Sequence, residues 1–367
     1  MKIYEERRLK LTENLSGDIA VIIPGSVLAN RSNDTAYPFR QDSNFYYLSG
    51  FNEPDSTLMI INKSGKTNSI GFVPKKDKLK EIWDGFRHGP EGMKSDFGFN
   101  DAFNNDEIDE LLPDLLDGVS CVYYPFGKVE GFDQKVIKWT KKANSKDRHS
   151  KKMEIADISK IIGNKRLIKD SSEINIIEKA CKISANAHLE AMKFVKPGMN
   201  EAEVEAFYLY EFAKNGGRFP AYNPIVASGE NACVLHYVEN NQVINDGDLL
   251  LVDAGCEYEM YASDITRTFP ANGKFSDEQL QIYNIVLEAQ KASVDAVSKG
   301  NGVMDPQTIS EKVITEGLID LGIIKGNLEE EHEKGSFKDF YMHKIGHWMG
   351  MDAVSYTHLR AHETLHY

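Results

Sequence analysis

Two aspartates eleven residues apart are the residues best placed to do chemistry. Asp253 ends the apolar run Leu249-Leu-Leu-Val-Asp253-Ala-Gly, and Asp264 lies in Tyr261-Ala-Ser-Asp264-Ile-Thr-Arg-Thr268. An acid at the end of an apolar strand is costly to bury unless it is paired or holds a cation. If the two runs form an antiparallel hairpin turning at Tyr258-Glu259, residues whose numbers sum to 517 oppose each other, and Asp253 faces Asp264. Directly opposed side chains share a face, with Cβ atoms about 4.5 to 5.5 Å apart. Two carboxylates that close repel, and one stays protonated unless a cation sits between them. Ions about 3.5 to 4 Å apart, as in two-metal hydrolytic sites, suit the spacing. The plainer alternative is two exposed acids on a β-ribbon.

Histidines supply the next groups. His343 and His347 lie four residues apart in Tyr341-Met-His343-Lys-Ile-Gly-His347-Trp-Met-Gly. On a helix they would share a face, but Gly346 makes a strand or turn equally possible. The HExxH glutamate is absent, so this is no zincin motif. Alone such a pair is more often structural; beside two aspartates it offers a metal ligand and a substrate contact. His236, in Asn231-Ala-Cys-Val-Leu-His236-Tyr-Val-Glu-Asn240, reads as part of an apolar strand upstream of the hairpin. A core histidine satisfied by hydrogen bonds is the alternative there.

The elements that must position these groups alternate. Apolar, β-prone runs at Cys233 to Val238, Asp248 to Ala254 and Tyr261 to Phe269 lie among helices with marked ends. Ser171 or Ser172 can cap an amphipathic helix through Ile174, Ile177 and Cys181. Asn200 with Glu203, and Ser276 with Gln279, form capping boxes; Asp305-Pro306 opens another helix, and Gly216-Gly217 can end one. Upstream, short apolar runs at Ile19 to Ile23 and Thr57 to Ile61 and a helical pattern from Asp109 to Leu116 read as a small α/β domain. At 367 residues the chain exceeds the roughly 250 to 300 at which single cores stop growing. The expected class is α/β or α+β, with a first domain over 1–150 and a second over 151–353. Between Lys141 and Lys152 six bases face one acid. That stretch reads as a solvated helix end or linker, with a binding patch as the alternative.

Composition narrows the function classes. A net charge of −13 argues against a dedicated nucleic-acid or acidic-membrane binder, which needs a basic surface. Cys121, Cys181, Cys233 and Cys256 show no CxxC spacing, as expected in a reducing compartment. The first residues resemble no signal peptide, and no run approaches the roughly 18 apolar residues of a membrane span. A cytoplasmic protein is expected.

Several motifs in order resemble the aminopeptidase P branch of the pita-bread metallopeptidases, the Xaa-Pro aminopeptidases. Asn231 to Asn240, Asp253-Ala-Gly-Cys-Glu-Tyr258 and Asp264-Ile-Thr-Arg-Thr-Phe-Pro270 are similar to that family's catalytic-domain motifs. Arg31-Ser-Asn-Asp-Thr and Tyr37-Pro-Phe-Arg-Gln-Asp-Ser-Asn-Phe-Tyr46 are similar to its amino-terminal domain. The resemblance implies two divalent ions, typically manganese, with Asp253 on one, Asp264 bridging both and His347 on the other. It implies that His236 and His343 contact the substrate or stabilise the tetrahedral intermediate, and that a metal-bridging hydroxide attacks the bond before proline. It also implies peptide substrates with proline at the second position and a homo-oligomer. Trp83, in Glu81-Ile-Trp-Asp-Gly85, resembles a residue that reaches a neighbouring subunit's site; an ordinary core or surface aromatic is the alternative. A prolidase, a creatinase-like hydrolase or a non-catalytic peptide-binding module of the same fold are the competing readings.

The resemblance breaks after Asp352. The family pattern calls for a histidine where Val354 stands and then for two metal-binding glutamates, whereas the sequence reads Val354-Ser-Tyr-Thr-His358-Leu-Arg-Ala-His362-Glu-Thr-Leu-His366-Tyr367. Glu363 has neither glutamate's context. Residues 354–367 are read as a non-native tail on an incomplete pita-bread domain; His358, His362 and His366, at helical spacing, form a metal site only on the less favoured reading. Four positive charges would meet only Asp253 and Asp264. The expectation is at most one weakly held metal and no turnover of Xaa-Pro peptides.

Overall fold

The computed structural model describes residues 2–145 and 152–353. The chain divides into two compact units, with the change falling between Ile168 and Lys169. The sequence placed it after residue 150. The difference arises because the segment following the basic stretch still adds a strand to the first unit's sheet.

In that first unit the apolar runs become strands of one mixed sheet. Its elements are α1 (Lys2–Thr12), β1 (Ile19–Pro24), α2 (Ser43–Ser49), β2 (Thr57–Lys63), β3 (Lys66–Val73), α3 (Lys78–Asp84), α4 (Gly89–Phe97), β4 (Asp101–Asn104), α5 (Ile108–Leu115), β5 (Cys121–Tyr124), α6 (Phe132–Asn144), β6 (Glu154–Asp157) and α7 (Ser159–Leu167). The strand order is β4-β3-β2-β1-β5-β6. Strands β1, β2 and β3 pair antiparallel, while β4, β5 and β6 join in parallel. Ile22, Met59, Phe72, Val122 and Trp139 fill the core on one side. Trp139 is anchored by its indole N–H, which donates to Asp109 Oδ1 at 2.7 Å. Trp83 is 87% exposed on α3, a helix with no buried residue, so a core role is excluded for it.

The second unit layers helices on two small antiparallel sheets. It comprises α8 (Ser171–Phe194), α9 (Glu201–Lys214), β7 (Phe219–Pro220), β8 (Ile225–Ser228), β9 (Leu249–Asp253), β10 (Cys256–Tyr258), β11 (Tyr261–Ala262), β12 (Thr266–Pro270), α10 (Asp277–Asp295), α11 (Asp305–Asp320) and α12 (Leu328–Lys334). The sheets run β12-β9-β8 and β11-β10-β7. Capping boxes form at Asn200/Glu203 and Ser276/Gln279, as their spacing predicts. Helix α8 is capped one residue earlier than expected, by Asp170, whose carboxylate accepts from the Ser172 and Glu173 N–H groups. Its buried face also differs. Ile174 is exposed, and the helix packs instead through Ala180, Ile183, Ala187 and Ala191, at the i, i+3, i+4 spacing of one face. Alanines let the helix lie close to the ribbon that carries the aspartates. No described helix is long and apolar enough to cross a membrane.

Candidate metal centre

Both aspartates are carried by the β9–β12 ribbon. Its pairs are Asp253 with Thr266, Val252 with Arg267 and Glu257 with Ala262. These sum to 519, so the turn is Glu259-Met260 and the direct opposition of Asp253 and Asp264 is corrected. Both turn residues take positive φ, 47° and 72°, the pattern of a two-residue type I′ turn. The slip moves each strand by one residue. Parity is kept, so Asp264 becomes the diagonal neighbour of Asp253 on the same face. Gly255 sits opposite Asp264 in this register, and a Cβ there would lie 1.8 Å from the Ser263 carbonyl oxygen. Only glycine allows that approach.

A third residue joins the two acids. The Tyr222 hydroxyl lies 2.5 Å from Asp253 Oδ1 and 3.0 Å from Asp264 Oδ1, so one proton serves two carboxylates. Burial raises the Asp253 pKa, and the neighbouring Asp264 charge adds to the rise against the Tyr222 hydrogen bond. Burial also acts to raise Asp264, but hydrogen bonds from His347 and Tyr222 outweigh it and hold this carboxyl below its usual range. Burial beside both acids pushes the Tyr222 phenol up, so it stays protonated.

His347 completes the cluster. Its Nε2 lies 3.0 Å from Asp264 Oδ2, and that hydrogen bond raises the imidazole pKa. Its Nδ1 lies 3.1 Å from the Trp348 carbonyl oxygen. A ring tied through one nitrogen to a backbone carbonyl, with the other facing a carboxylate, has the orientation of metal-binding histidines. The segment around His343 and His347 is irregular, so neither a helix face nor a strand presents them. His343 Nδ1 lies 2.6 Å from the Lys344 carbonyl oxygen, which leaves its Nε2 for a ligand. His236 and His343 stand with ring centroids 6.4 Å apart and planes at 85°.

The expected strand over Cys233 to Val238 is absent. Gly229–Cys233 is a 3-10 turn, and the chain beyond it is irregular and exposed at His236. Its polar groups are drawn to Glu201. Oε1 of that buried carboxylate accepts from Ser228 N, Ser228 Oγ and Asn231 Nδ2, and Oε2 from Tyr237 Oη and Gln242 N, all at 2.7 to 3.2 Å. Burial acts to raise the Glu201 pKa, but these hydrogen bonds prevail and lower it. Glu201 therefore fastens the loop that presents His236. It lies between the two capping residues of α9 and gave no separate signal in the sequence. Tyr222 gave none either, since it meets its partners across 31 and 42 residues.

Two aspartates and an imidazole suit divalent cations that accept oxygen and nitrogen ligands. Among the described residues, no three His, Cys, Asp or Glu side chains stand ready to enclose an ion, and the Tyr222 hydroxyl lies between the carboxylates. The donor types and the His347 orientation fit a metal; the set is partial. Val354, His358, His362, Glu363 and His366 lie outside the described residues.

Comparison with known proteins decides the family. The profile of metallopeptidase family M24 matches residues 175–365, and that of the aminopeptidase P N-terminal domain matches residues 4–123. The chain belongs to metallopeptidase family M24. It carries the amino-terminal domain of the aminopeptidase P branch as well. Among M24 relatives, the Xaa-Pro aminopeptidase of Haemophilus influenzae is 39% identical over 349 residues, covering 95% of this chain and 79% of the relative. That of Escherichia coli is 38% identical over 352 residues, covering 95% and 80%. The structure of Pseudomonas aeruginosa aminopeptidase PepP superposes with a TM-score of 0.92 at 40% identity, covering 95% and 80% of the two chains. Zinc-substituted Escherichia coli aminopeptidase P in complex with product gives 0.93 at 37%, covering 96% and 81%. The M24 assignment agrees with the mixed α/β architecture of both units.

Proposed function

We propose that this chain carries part of the chemistry of a manganese-dependent Xaa-Pro aminopeptidase, with Asp253, Asp264 and His347 as metal ligands and His236 and His343 as substrate contacts. The observation that carries the proposal is the convergence of both aspartates on one hydroxyl, with His347 bonded to the second aspartate. Divalent ions bound there would polarise the scissile carbonyl and acidify a water. The protein's own groups do the rest. Asp264 orients His347, and the Trp348 carbonyl holds that ring's other nitrogen. The Lys344 carbonyl leaves His343 Nε2 directed outward, and Glu201 steadies the loop that brings His236 within 6.4 Å of it, centroid to centroid. Two imidazoles that close together could both reach one bound peptide from the same side. Substrates with proline second, and a cytoplasmic setting, follow the relatives' names and the sequence.

Among the described residues, the two carboxylates of Asp253 and Asp264 only partly balance four positive charges. Losing even the groups that orient a ligand commonly costs about 10- to 100-fold in affinity. Calorimetric titration of the 367-residue chain with manganese should therefore give one weak site, abolished by Asp264→Asn, with no turnover of an Xaa-Pro tripeptide. Two tight sites with tripeptide turnover would overturn the expected incompleteness while upholding the activity. Cleavage confined to Xaa-Pro dipeptides would assign a prolidase, and absence of any manganese binding would sink the metal-centre reading.

A further inference from the structure

Behind the aspartates, on the face turned to α8, two side chains one helical turn apart grip both strands of the ribbon. Ser184 and His188 are 0% and 2% exposed. His188 Nε2 lies 3.1 Å from the carbonyl oxygen of Ala254, the residue after Asp253. Its Nδ1 lies 2.9 Å from the hydroxyl of Tyr208, itself fully buried. Burial raises the Tyr208 phenol pKa and lowers that of His188. The phenol therefore donates to Nδ1, which leaves the proton on Nε2 to donate to Ala254. A neutral imidazole in one tautomer is thereby fixed.

Ser184 grips the other strand through a closed circuit. The Cys256 N–H donates to Ser184 Oγ at 2.9 Å, Ser184 Oγ lies 2.8 Å from Ser263 Oγ, and Ser263 Oγ donates to the Cys256 carbonyl at 2.9 Å. Each of the three groups has one proton, and the circuit uses each once. Ser263 precedes Asp264. Between the two grips lies Gly255, where the strands come too close for any Cβ. The contacts sit one residue away from each candidate ligand.

We propose that Ser184 and His188 are positioning residues that set the separation of the Asp253 and Asp264 carboxylates for a cation, an inference that rests on reading those aspartates as metal ligands. Neither side chain touches the metal site. The separation is set by rigid, fully satisfied polar contacts on one helix, so loosening either grip should let the carboxylates drift while the ribbon stays folded.

The test is manganese affinity, followed by calorimetry and by the electron paramagnetic resonance of the free ion, in the 367-residue chain and its variants. Ser184→Ala and His188→Phe should each weaken manganese binding at least about tenfold, within the range for lost orienting groups. Ser184→Thr, which keeps the hydroxyl, should restore it. Ser293→Ala provides the structural control: Ser293 on α10 is also buried but donates to the carbonyls of Ala289 on α10 and Pro306 on α11. It should lower the melting temperature and leave affinity unchanged. If His188→Phe does not fold, Ser184→Ala decides alone. Unchanged affinity in Ser184→Ala, or the same loss in Ser293→Ala, would overturn the positioning role. A wild-type chain that binds no manganese would instead overturn the ligand reading, and this inference with it.

Discussion

Two hairpins of this molecule, β2–β3 and the aspartate ribbon, solve the same turn and differ in what the turn connects. The β2–β3 hairpin pairs seven residues without interruption, from Thr57 with Phe72 to Lys63 with Lys66, and closes through Ser64 and Gly65 at φ 51° and 77°. The aspartate ribbon closes through Glu259 and Met260 at φ 47° and 72°, with no glycine. Its ladder divides at Ala254-Gly255, the stretch where the strands come closest. The first hairpin bears apolar side chains and satisfies most of its backbone within the sheet, with the Ser69 and Ser64 N–H groups donating to Asn100 Oδ1 and Asp18 Oδ1. The second hands backbone groups to Ser184 and His188 and ends a strand on a half-buried acid. Where a ribbon has only to pack, local rules suffice; where it has to hold two carboxylates, helix side chains and a glycine take over.

The largest effect should come at the close approach. In Gly255→Ala the new methyl would meet the Ser263 carbonyl oxygen at 1.8 Å and its carbon at 2.5 Å, atoms of backbone that cannot rotate away. A loss above about 4 kcal/mol is expected, in the class of substitutions that breach a packed backbone. Gly65→Ala meets nothing within 4 Å and suffers only its φ of +77°, a cost of about 1 kcal/mol. Urea unfolding of both variants would measure the contrast. Equal losses would mean that the aspartate ribbon opens as readily as the first hairpin tolerates strain.

The same contrast explains what the sequence revealed. Apolar runs at Ile19 to Ile23, Thr57 to Ile61 and Leu249 to Asp253 became β1, β2 and β9 because a buried strand needs little beyond its own side chains. Capping boxes at Asn200/Glu203 and Ser276/Gln279 were legible because both partners lie three residues apart. The register was not legible. A turn through Glu259-Met260 carries no Gly or Asn signal, and only tertiary contacts make its positive φ tolerable. The Cys233 to Val238 run reads as a strand from apolarity alone, yet Glu201 diverts its neighbours' hydrogen bonds. The aspartates and histidines were legible as types and spacing. Tyr222, Ser184 and His188 were not, because each acts through partners dozens of residues away.

Titration should distinguish the two ribbons next, with a smaller effect. The His347–Asp264 pair belongs to the aspartate ribbon alone; the contact raises His347 and, together with the Tyr222 hydrogen bond, lowers Asp264. Asp264, lowered below its ordinary 3.8, contributes stability above that value and loses it as pH falls through its folded pKa. His347, raised above its ordinary 6.5, contributes fully below that value and loses stability as pH rises through its folded pKa. His188, lowered by burial, acts oppositely below 6.5 and adds stability as pH rises toward that value. The metal-free chain should thus be most stable near that crossover and lose up to about 1 kcal/mol on the alkaline side, as befits a partly exposed pair. Thermal melts from pH 5 to 9 in chelator would show it, and His347→Gln should flatten only the alkaline limb. An alkaline loss that persists in His347→Gln would place its origin elsewhere.

The smallest effect should come from making the second turn resemble the first. Glu259 is exposed and holds φ at 47°, a conformation that costs an L residue roughly 1 to 2 kcal/mol. Glycine relieves that strain but frees the unfolded chain, which returns about 0.5 to 1 kcal/mol. Glu259→Gly should therefore stabilise the ribbon by about 0.5 kcal/mol, read as a higher urea midpoint with an unchanged slope. Met260 is the wrong residue for this experiment, because it is buried and its side chain packs. A lower midpoint in Glu259→Gly would mean that the glutamate side chain contributes contacts exceeding its strain. The turn would then be held by its own residues rather than by the grip of α8 on the strands behind it.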